Sequence, residues 1–421
     1  MIQHILTLIW NQRKSNVWIF LELLVVVCIL LAIMDSFLVD IYTYKRPLGF
    51  DITNVYQVNF AKDNTQTGDT VDYRSEGESL LQVVNNLRQC PEVENISICS
   101  SAIPYTWIAS WSPLKAASDT SSSKSYYQVY DVMPDFFKVF NMHAEDGSSL
   151  YEQVLQNPGQ YVLSYDLAKK LFPTSSAIGQ EVKHVDNPEW AMQDRVSAVT
   201  TPLRKTDFDR SEPVYYQLLR TDKDLLDDLQ EYKISPLAMQ CVMRMRPGFQ
   251  AEDMEAFLQR QSERLQVKSI YVSTVTPVSD YRADRLKSRF DNQAKKIALV
   301  AFMMANIFFG IVGTFWLRTQ SRRAEIGLRA AVGASKTRLR GQLYGEGLLL
   351  LLLTLPIAII YMANMLYLDM PDTDRLAYTG WRFFTTFGAT YLVLGLMIYL
   401  GISIPAGKIT RMNPADTLHY E

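Results

Sequence analysis

Four long apolar segments interrupt an otherwise polar chain of 421 residues. Each holds about 20 residues or more, which is the length that an α-helix needs to cross the hydrocarbon core of a bilayer. The segments lie at residues 17–39, 297–317, 343–367 and 383–404. The pattern predicts an α-helical membrane protein with four transmembrane helices and one large domain inserted between the first two.

The first apolar segment does not fit a cleaved signal peptide. A signal peptide has an apolar core of about 7–15 residues followed by small residues at its cleavage site. Residues 17–39 are longer than that, and bulky Val27 precedes Cys28 where a lipid-modified cysteine needs a small neighbour. We therefore expect an uncleaved membrane anchor.

Residues 1–16 precede this anchor and carry apolar side chains at helical spacing. These side chains are Ile2, Ile5, Leu6, Ile9 and Trp10. One interpretation is an amphipathic helix that lies on the inner membrane surface. The other is that they form the first turns of one long helix, and the pattern leaves both open.

The inserted region 40–278 alternates short strands with short helices, which predicts an α+β domain with two lobes. Predicted strands lie at 54–60, 93–100, 126–132, 160–164, 194–200, 237–247 and 268–278. Predicted helices start at Ser75, with a capping box to Glu78, and cover 133–140, 165–172 and 251–265. Residues 279–296 contain neither proline nor glycine and run directly into the second span. They predict a stalk helix that rises about 1.5 Å per residue.

Basic residues predict the orientation of the spans, because the loops richest in Lys and Arg stay in the cytoplasm. Arg13 and Lys14 precede span 1, seven basic residues fall in the loop 318–342, and Lys408 and Arg411 follow span 4. Both termini, the loop 318–342 and the tail 405–421 are therefore expected inside the cell. The inserted domain and the short loop 368–382 are expected outside.

The sequence offers little chemistry of its own. The stretch "GASKT" at 333–337 resembles the end of a phosphate-binding loop, but no glycine directly precedes Lys336 and the required Gly-x₄-Gly-Lys spacing is absent. The four histidines, His4, His143, His184 and His419, are scattered. We expect no enzymatic activity, no metal and no cofactor in this chain, and no nucleic-acid partner.

The four cysteines show no metal-site spacing. Cys28 falls inside span 1, and Cys90, Cys99 and Cys241 fall in the inserted domain. A disulfide is chemically possible outside the cell. The extended segment that separates Cys90 from Cys99 favours buried free thiols.

Glu22 is an ionisable residue inside the first span. A charge within a span usually faces protein rather than lipid. Either Glu22 contacts another span or a second subunit, or it lies close enough to the interface to be hydrated. The sequence does not choose between these two interpretations.

The loop between spans 2 and 3 reads "RRAEIGLRAAVGASKTRLRGQ" over 322–342. Ile326, Arg329, Ala330 and Gly333 share one helical face lined by small or apolar groups. Such a face is suited to a groove on another protein, and the flanking basic residues favour an anionic lipid surface.

This loop resembles the corresponding loop of the MacB/FtsX-like ABC transporter permeases (type VII, the mechanotransmission group), whose pattern is R-x-x-E-I-G-(I/L)-R-x-A-(L/V)-G-A-S. The closing segment "IPAGKITRMNPADTLHYE" and the stretch 133–182 are also similar to members of this family. The opening of the chain is close to Bacteroidetes-type members, so the resemblance covers nearly the whole chain.

The resemblance implies a stand-alone permease subunit that pairs with a second permease chain, identical or related, and with a separate ABC ATPase that binds ATP and Mg. MacB itself carries its ATPase before the first span, whereas this chain opens with the span, so the ATPase is expected on another polypeptide. The implied coupling residues are Arg322, Arg323, Glu325, Ile326, Gly327, Arg329, Ala330, Gly333 and Ser335.

Three functions are compatible with these features. The first is export, efflux or release of a periplasmic substrate at the bacterial inner membrane, with or without a periplasmic adaptor. The second is activation of an envelope enzyme such as a cell-wall hydrolase, and the third is a sensor without an ATPase. The topology, the stalk and the loop motif support the first function, but the second shares all of these features and lacks only a substrate. The sequence does not identify the cargo.

Overall fold

The computed structural model of the chain describes residues 13–63, 72–121, 123–184, 193–321, 332 and 334–409. Its helices are α1 (Arg13–Tyr44), α2 (Tyr73–Arg88), α3 (Phe136–Val139), α4 (Leu150–Gln156), α5 (Tyr165–Leu171), α6 (Asp222–Glu231), α7 (Met254–Gln261), α8 (Val278–Ser321), α9 (Lys336–Leu353), α10 (Leu355–Tyr367) and α11 (Gly380–Ile409). Its strands are β1 (Val55–Lys62), β2 (Val93–Ser100), β3 (Ser110–Ala116), β4 (Tyr126–Val132), β5 (Tyr161–Leu163), β6 (Glu181–His184), β7 (Gln193–Val199), β8 (Val214–Leu218), β9 (Gln240–Met245), β10 (Gln266–Val267) and β11 (Ile270–Pro277).

The chain divides into two compact units. One, the membrane unit, is Met1–Lys45 together with Arg289–Glu421, and the other, the inserted unit, is Arg46–Ser288. Four helical stretches in the described residues are long and apolar enough to cross a bilayer: Val17–Tyr44, Val278–Leu317, Thr337–Tyr367 and Gly380–Gly407. The predicted fold class, four transmembrane helices with an α+β domain between the first two, is therefore confirmed.

The membrane unit has its own apolar core. Leu23, Val27 and Leu31 of α1 are almost fully buried, and they belong to one cluster with Ile311 of α8 and Ile398 of α11. Large apolar side chains also point outward: Phe309 of α8 and Leu392 of α11 are 71% and 65% exposed. Apolar side chains on both the inside and the outside of a helix are what a lipid-facing bundle requires.

The third span is not one straight helix, a feature that was not predicted. α9 ends at Leu353 and α10 begins at Leu355, with Thr354 between them. Pro356 lacks an N–H group and its ring would clash with the carbonyl four residues earlier, so the helix must bend there. The Thr354 hydroxyl donates to the Leu351 carbonyl at 2.6 Å and also pairs with the Tyr391 hydroxyl at 3.0 Å.

The inserted unit contains two β-structures that share β4. Strands β10, β11, β1, β9 and β2 form an open sheet in that order, and β2 also pairs with β4. Helices α2, α6 and α7 contribute to the apolar cluster of this half through residues such as Leu80, Leu229 and Phe257. Strands β4, β3, β6, β7, β5 and β8 form a ring, because β8 pairs back to β4. The ring has a separate cluster that includes Tyr161 and Tyr215, so the two predicted lobes are present.

Several local details differ from the predictions. Helix α2 begins at Tyr73 rather than at Ser75, because the Asp72 side chain accepts the Ser75 N–H and acts as the N-cap. Strands β3, β6 and β8 and helices α4 and α6 were not predicted. Strands β2 and β4 have the predicted bounds.

The described cysteines are free thiols. Cys241 pairs in register with Ile98 of β2, whereas Cys99 pairs with Gln240 of β9. Neighbouring residues of a strand point to opposite faces of a sheet, so Cys99 and Cys241 lie in different apolar clusters. The preference for buried free thiols is confirmed.

Candidate functional site

Helix α8 belongs to both units, because Val278–Ser288 fall in the inserted unit and Arg289–Ser321 in the membrane unit. Its polar N-terminal part carries Arg282, Arg285, Arg289, Gln293 and Lys296. Their spacings of three and four residues place these side chains on one face of the helix. Each of them has a partner in its own unit, and the partners define two clusters.

The first cluster, which we call the linker clamp, consists of Tyr105, Arg204, Asp207, Arg282 and Arg285. At its centre Arg282 donates to both carboxylate oxygens of Asp207, from Nε at 3.1 Å and from Nη2 at 2.7 Å. The Tyr105 hydroxyl donates to Asp207 Oδ2 at 3.0 Å. Asp207 is only 3% exposed, so two charge-assisted hydrogen bonds from Arg282 hold the start of α8 at a buried carboxylate, and Tyr105 adds a third bond to the same carboxylate.

The backbone next to Tyr105 holds the following turn of α8. Arg285 Nε donates to the Tyr105 carbonyl at 3.1 Å, and its guanidinium lies 3.3 Å from the centre of the Trp107 ring. A guanidinium over an indole face is a favourable cation–π contact. Burial, and then the charge of Asp207, raise the pKa of Tyr105 well above its ordinary value, so its hydroxyl keeps its proton.

Arg204 joins the segment that follows α1 to the same loop. Its Nη1 donates to the Asp207 carbonyl at 2.8 Å, its Nε donates to the Pro47 carbonyl at 3.1 Å, and its Nη2 donates to the Arg46 carbonyl. Arg46 and Pro47 directly follow α1, and Arg282 lies at the start of α8. Both connections of the inserted unit are therefore fixed to the loop that contains Arg204 and Asp207.

The second cluster, which we call the collar, lies in the membrane unit and consists of Asp35, Asp40, Arg289, Arg375 and Arg382. Asp40, at 1% exposure, accepts from Arg289 Nη2 at 2.5 Å and from Arg375 Nη1 at 2.7 Å. Gln293 Nε2 adds a third bond at 3.1 Å. One carboxylate of α1 thus joins α8 to the loop between α10 and α11.

Arg382 makes the other half of the collar. Its Nε and Nη2 donate to the two oxygens of Asp35 at 2.8 and 2.6 Å. Its Nη1 donates to the carbonyls of Asp372 and Leu376. Arg382 is fully buried. A buried charge is tolerated only where its partners compensate the lost hydration, so this pair constrains α1 and α11 tightly.

The loop 368–379 is shaped by the same charges. Partial burial would by itself raise the pKa of Asp372, but hydrogen bonds from Arg375 outweigh it and lower the pKa below its ordinary value. The Lys296 ammonium of α8 donates to Ser36 Oγ of α1 at 2.7 Å. The collar therefore joins α1, α8, this loop and α11 within the membrane unit.

The sequence-predicted coupling residues fall mostly outside the described residues. This holds for Arg322, Arg323, Glu325, Ile326, Gly327, Arg329, Ala330 and Gly333. Ser335 is described, and it is the N-cap of α9, with its hydroxyl accepting the Arg338 N–H at 3.3 Å. This bond is local to α9 and lies outside both the linker clamp and the collar.

Glu22 lies on α1 and faces α8. A Cβ atom placed on Gly310 would lie 2.8 Å from Glu22 Oε1. The absence of a side chain at Gly310 therefore leaves the room that this carboxylate occupies. The placement corresponds to the interpretation in which Glu22 contacts another span.

The linker clamp and the collar were not predicted as sites, although part of the signal was visible. The polar stripe on α8 includes three arginines, at positions 282, 285 and 289, on one face of the helix. Asp35 and Asp40, near the end of span 1, are candidate partners. Their pairing with Arg382 and Arg375 could not be inferred, because these residues are more than 300 positions apart.

Comparison with known proteins agrees with this architecture. Residues 24–261 match the family described as "MacB-like periplasmic core domain", and residues 297–414 match "FtsX-like permease C-terminal". The first match starts within α1 and ends in α7. The second includes most of the membrane unit from span 2 onward.

One curated relative is the "Macrolide export ATP-binding/permease protein MacB" of Shewanella sp. (strain W3-18-1), which is 26% identical over 310 residues. The aligned region covers 70% of this chain but 43% of that protein. The chain therefore spans less than half the length of this relative.

Three solved structures of single domains or regions show some similarity to this chain. The periplasmic region of MacB from Actinobacillus actinomycetemcomitans has 13% identity, with 57% of this chain and 94% of that chain covered and a TM-score of 0.34. A domain of a permease protein from Porphyromonas gingivalis has 15% identity, coverage of 53% and 90%, and a TM-score of 0.34. The extracellular domain of the ABC-type transporter YknZ from Gram-positive bacteria has 10% identity, coverage of 52% and 100%, and a TM-score of 0.31.

The family matches, together with four spans and an inserted α+β unit, define the permease part of an ABC transporter. The chain belongs to the MacB/FtsX-like family of ABC transporter permeases.

Proposed function

We propose that this chain is the permease subunit that transmits the movement of a separate ABC ATPase to the inserted unit. The ATPase would bind the cytoplasmic segment 322–335, with Glu325, Ile326 and Arg329 at the contact. Two permease chains would share the ATPase pair, and the movement would export or release a substrate outside the inner membrane.

One observation carries this proposal. Helix α8 runs for 44 residues without a break, and in each unit one of its arginines pairs with a buried carboxylate, Arg282 with Asp207 and Arg289 with Asp40. An unbroken helix does not absorb a displacement as a flexible linker does. A displacement at the membrane end of α8 is therefore passed on rather than lost.

The orientation belongs to the same proposal. The basic residues near the ends of the spans support cytoplasmic termini and a periplasmic inserted unit. This orientation would leave the segment 322–335 within reach of a cytoplasmic ATPase. The ATP and its Mg would be held by that ATPase, and this chain would supply no catalytic group.

The test follows a signal from the ATPase to the linker clamp. The full chain would be co-purified with its ATPase in nanodiscs, and amide hydrogen exchange of residues 203–209 compared with and without a non-hydrolysable ATP analogue. We expect a nucleotide-dependent change in the wild type and in Lys287→Ala. We expect none in Lys287→Pro, because proline breaks the helix interior at a cost of about 3 kcal/mol.

A second pair of variants tests the coupling segment. Arg329→Glu should weaken co-purification of the ATPase at least about tenfold, which corresponds to about 1.4 kcal/mol. Arg338→Glu makes the same charge change at an exposed residue of α9 outside the family pattern, and it should retain the ATPase. Normal ATPase binding without any nucleotide-dependent exchange at 203–209 would overturn the transmission proposal.

A further inference from the structure

Beside the collar, the membrane unit contains a cavity of about 150 Å³. Its walls come from α1, from the end of α10 and from the loop that follows α10. Apolar side chains make up most of the lining: Ala32, Val39, Met362, Met365, Met370 and Pro371. The rest is Asp35, Ser36, Asp372 and Arg375.

Three methionines reach this cavity because the chain folds back where α10 ends. Met362 and Met365 are three residues apart and lie on one face of the helix. The Met370 N–H donates to the Met365 carbonyl at 3.0 Å, and Asp369 adopts a left-handed φ of 52°. This turn ends the helix and brings Met370 close to Met365.

The charged groups in the wall already have partners. Arg382 occupies both oxygens of Asp35, and Arg375 pairs with Asp40 and Asp372. The Ser36 hydroxyl accepts from Lys296 and still carries one O–H that can donate. The cavity therefore offers an apolar wall and one weak polar contact, and it does not offer an unpaired charge.

We propose that this cavity binds an uncharged, unbranched alkyl group of about six carbon atoms, and that Ser36 donates to an oxygen of this group where it carries one. An apolar cavity of about 150 Å³ accepts a benzene-sized molecule. Methionine side chains are flexible and polarisable, so they adapt to chains of different shape. The chain can come from a free alkyl compound or from a membrane lipid. This inference does not depend on the proposed function.

The test uses the full chain in nanodiscs and a photoreactive six-carbon alcohol with a diazirine in its chain, with labelled residues located by mass spectrometry. We expect saturable labelling of Val39, Met362 and Met365. Competition by unlabelled alcohols should strengthen about fourfold per added methylene and level off near six carbons, where the cavity is full. A nanodisc lipid with a diazirine in its acyl chain distinguishes the two sources, because only a lipid occupant labels the same residues.

Variants that fill the cavity test whether the labelled residues lie at this site. Ala32→Phe on one wall and Met365→Trp on the other should each reduce cavity labelling at least about fivefold. Ala301→Phe adds the same ring to an exposed position of α8 and should change nothing. Two filling variants on different helices guard against one that fails to fold, and the wild-type chain-length series is independent of both.

Two results would overturn the proposal. One is labelling of Phe309 and Leu396 at the same level as the cavity residues, with no effect of either filling variant. The other is a soft-metal site, since thioethers also bind Cu(I) and Ag(I). The double variant Met362→Leu with Met365→Leu keeps the apolar volume of the cavity, so it should preserve alkyl labelling. If the wild type instead binds Ag(I) stoichiometrically, this variant abolishes that binding, and no saturable alkyl labelling is seen, the occupant is a metal and not an alkyl group.

Discussion

Arg382 and Asp35 form a two-bond ion pair, at 2.8 and 2.6 Å, between the first and the last transmembrane helix. Arg382 is fully buried and Asp35 is 4% exposed. The pair spans 347 positions of sequence. Asp40, five residues further along α1, holds Arg289 and Arg375, so the two aspartates of the collar connect α1 with α8, α11 and the loop before α11.

Replacing one partner of this ion pair should destabilise the fold far more than replacing both partners. Arg382→Met leaves the Asp35 carboxylate buried and unpaired, which costs about 3–5 kcal/mol. The double variant Asp35→Leu with Arg382→Met should recover most of the loss. The measurement is the thermal unfolding midpoint of the full chain in nanodiscs.

The exposed pair between Arg74 and Asp227 is a matched control. Its side chains are 44% and 46% exposed, and such pairs contribute about 0–1 kcal/mol. Arg74→Met should therefore leave the midpoint nearly unchanged. Equal effects of Arg74→Met and Arg382→Met would contradict a structural role for the collar.

The inserted unit should carry a pH-dependent penalty at Asp131. Burial, and then the charge of Asp228, raise the pKa of Asp131 to about 6. Because this folded-state pKa lies above the ordinary value of about 3.9, the charged form destabilises the fold. The penalty is absent below about pH 4, grows as the pH rises towards 6, and is complete above it.

Asp131→Asn should remove this penalty, since asparagine has nearly the same size and no charge. We expect a gain on the order of 1–3 kcal/mol at pH 7.5 and almost none at pH 4. Thermal unfolding of the full chain at both pH values measures it, at about 2–4 °C per kcal/mol for a unit of this size. Exposed Glu255→Gln is the control, and an equal gain at both pH values would refute the assignment.

Two glycines of α9 should respond in opposite ways to alanine. A Cβ on Gly347 would lie 2.6 Å from Cδ1 of Ile402 and 2.7 Å from Cγ2 of Ile398, both buried on α11. Forcing a methyl group into such a contact costs about 1–3 kcal/mol. Gly347→Ala should lower the thermal midpoint in nanodiscs.

Gly341 lies on the same helix, and a Cβ added there would meet no packed neighbour within 4 Å among the described residues. Alanine favours a helix by about 1 kcal/mol relative to glycine, so Gly341→Ala should hold or raise the midpoint. A loss at Gly341 as large as the loss at Gly347 would mean that close packing of α9 on α11 is not the cause.

The sequence was sufficient for the four spans and for the class of the inserted domain, because hydrophobic period and length carry that information locally. The strand at 93–100 is an example, since its alternating residues face two apolar clusters and its bounds were predicted. The bend at Thr354 was also readable, from Pro356, although it was not predicted. Helix α6 was missed because "DKDLLDDLQE" is mostly charged and buries only Leu225, Leu226 and Leu229.

The candidate site was much less predictable than the fold. Arg282 and Asp207 are 75 positions apart, and neither has a local signal that names the other. Nothing in a single sequence distinguishes a paired arginine on a stalk from a solvated one. Partners of buried charges are set by the tertiary fold, whereas spans and strands are set by neighbouring residues.

The linker clamp gives the last prediction. Arg282→Gln removes the guanidinium that pairs with buried Asp207, to which the Tyr105 hydroxyl still donates, and hydrogen bonds to charged groups contribute about 1.5–3 kcal/mol. Amide hydrogen exchange should therefore quicken in residues 102–108 and 203–209 of the full chain, because these segments open locally at lower cost. The central strands β2 and β9 should keep their protection, since their apolar clusters are untouched. Tyr105→Phe, which removes one neutral donor, should give a smaller change in the same segments. Exchange that quickens throughout the inserted unit would show instead that Arg282 supports the whole fold and not the connection to α8.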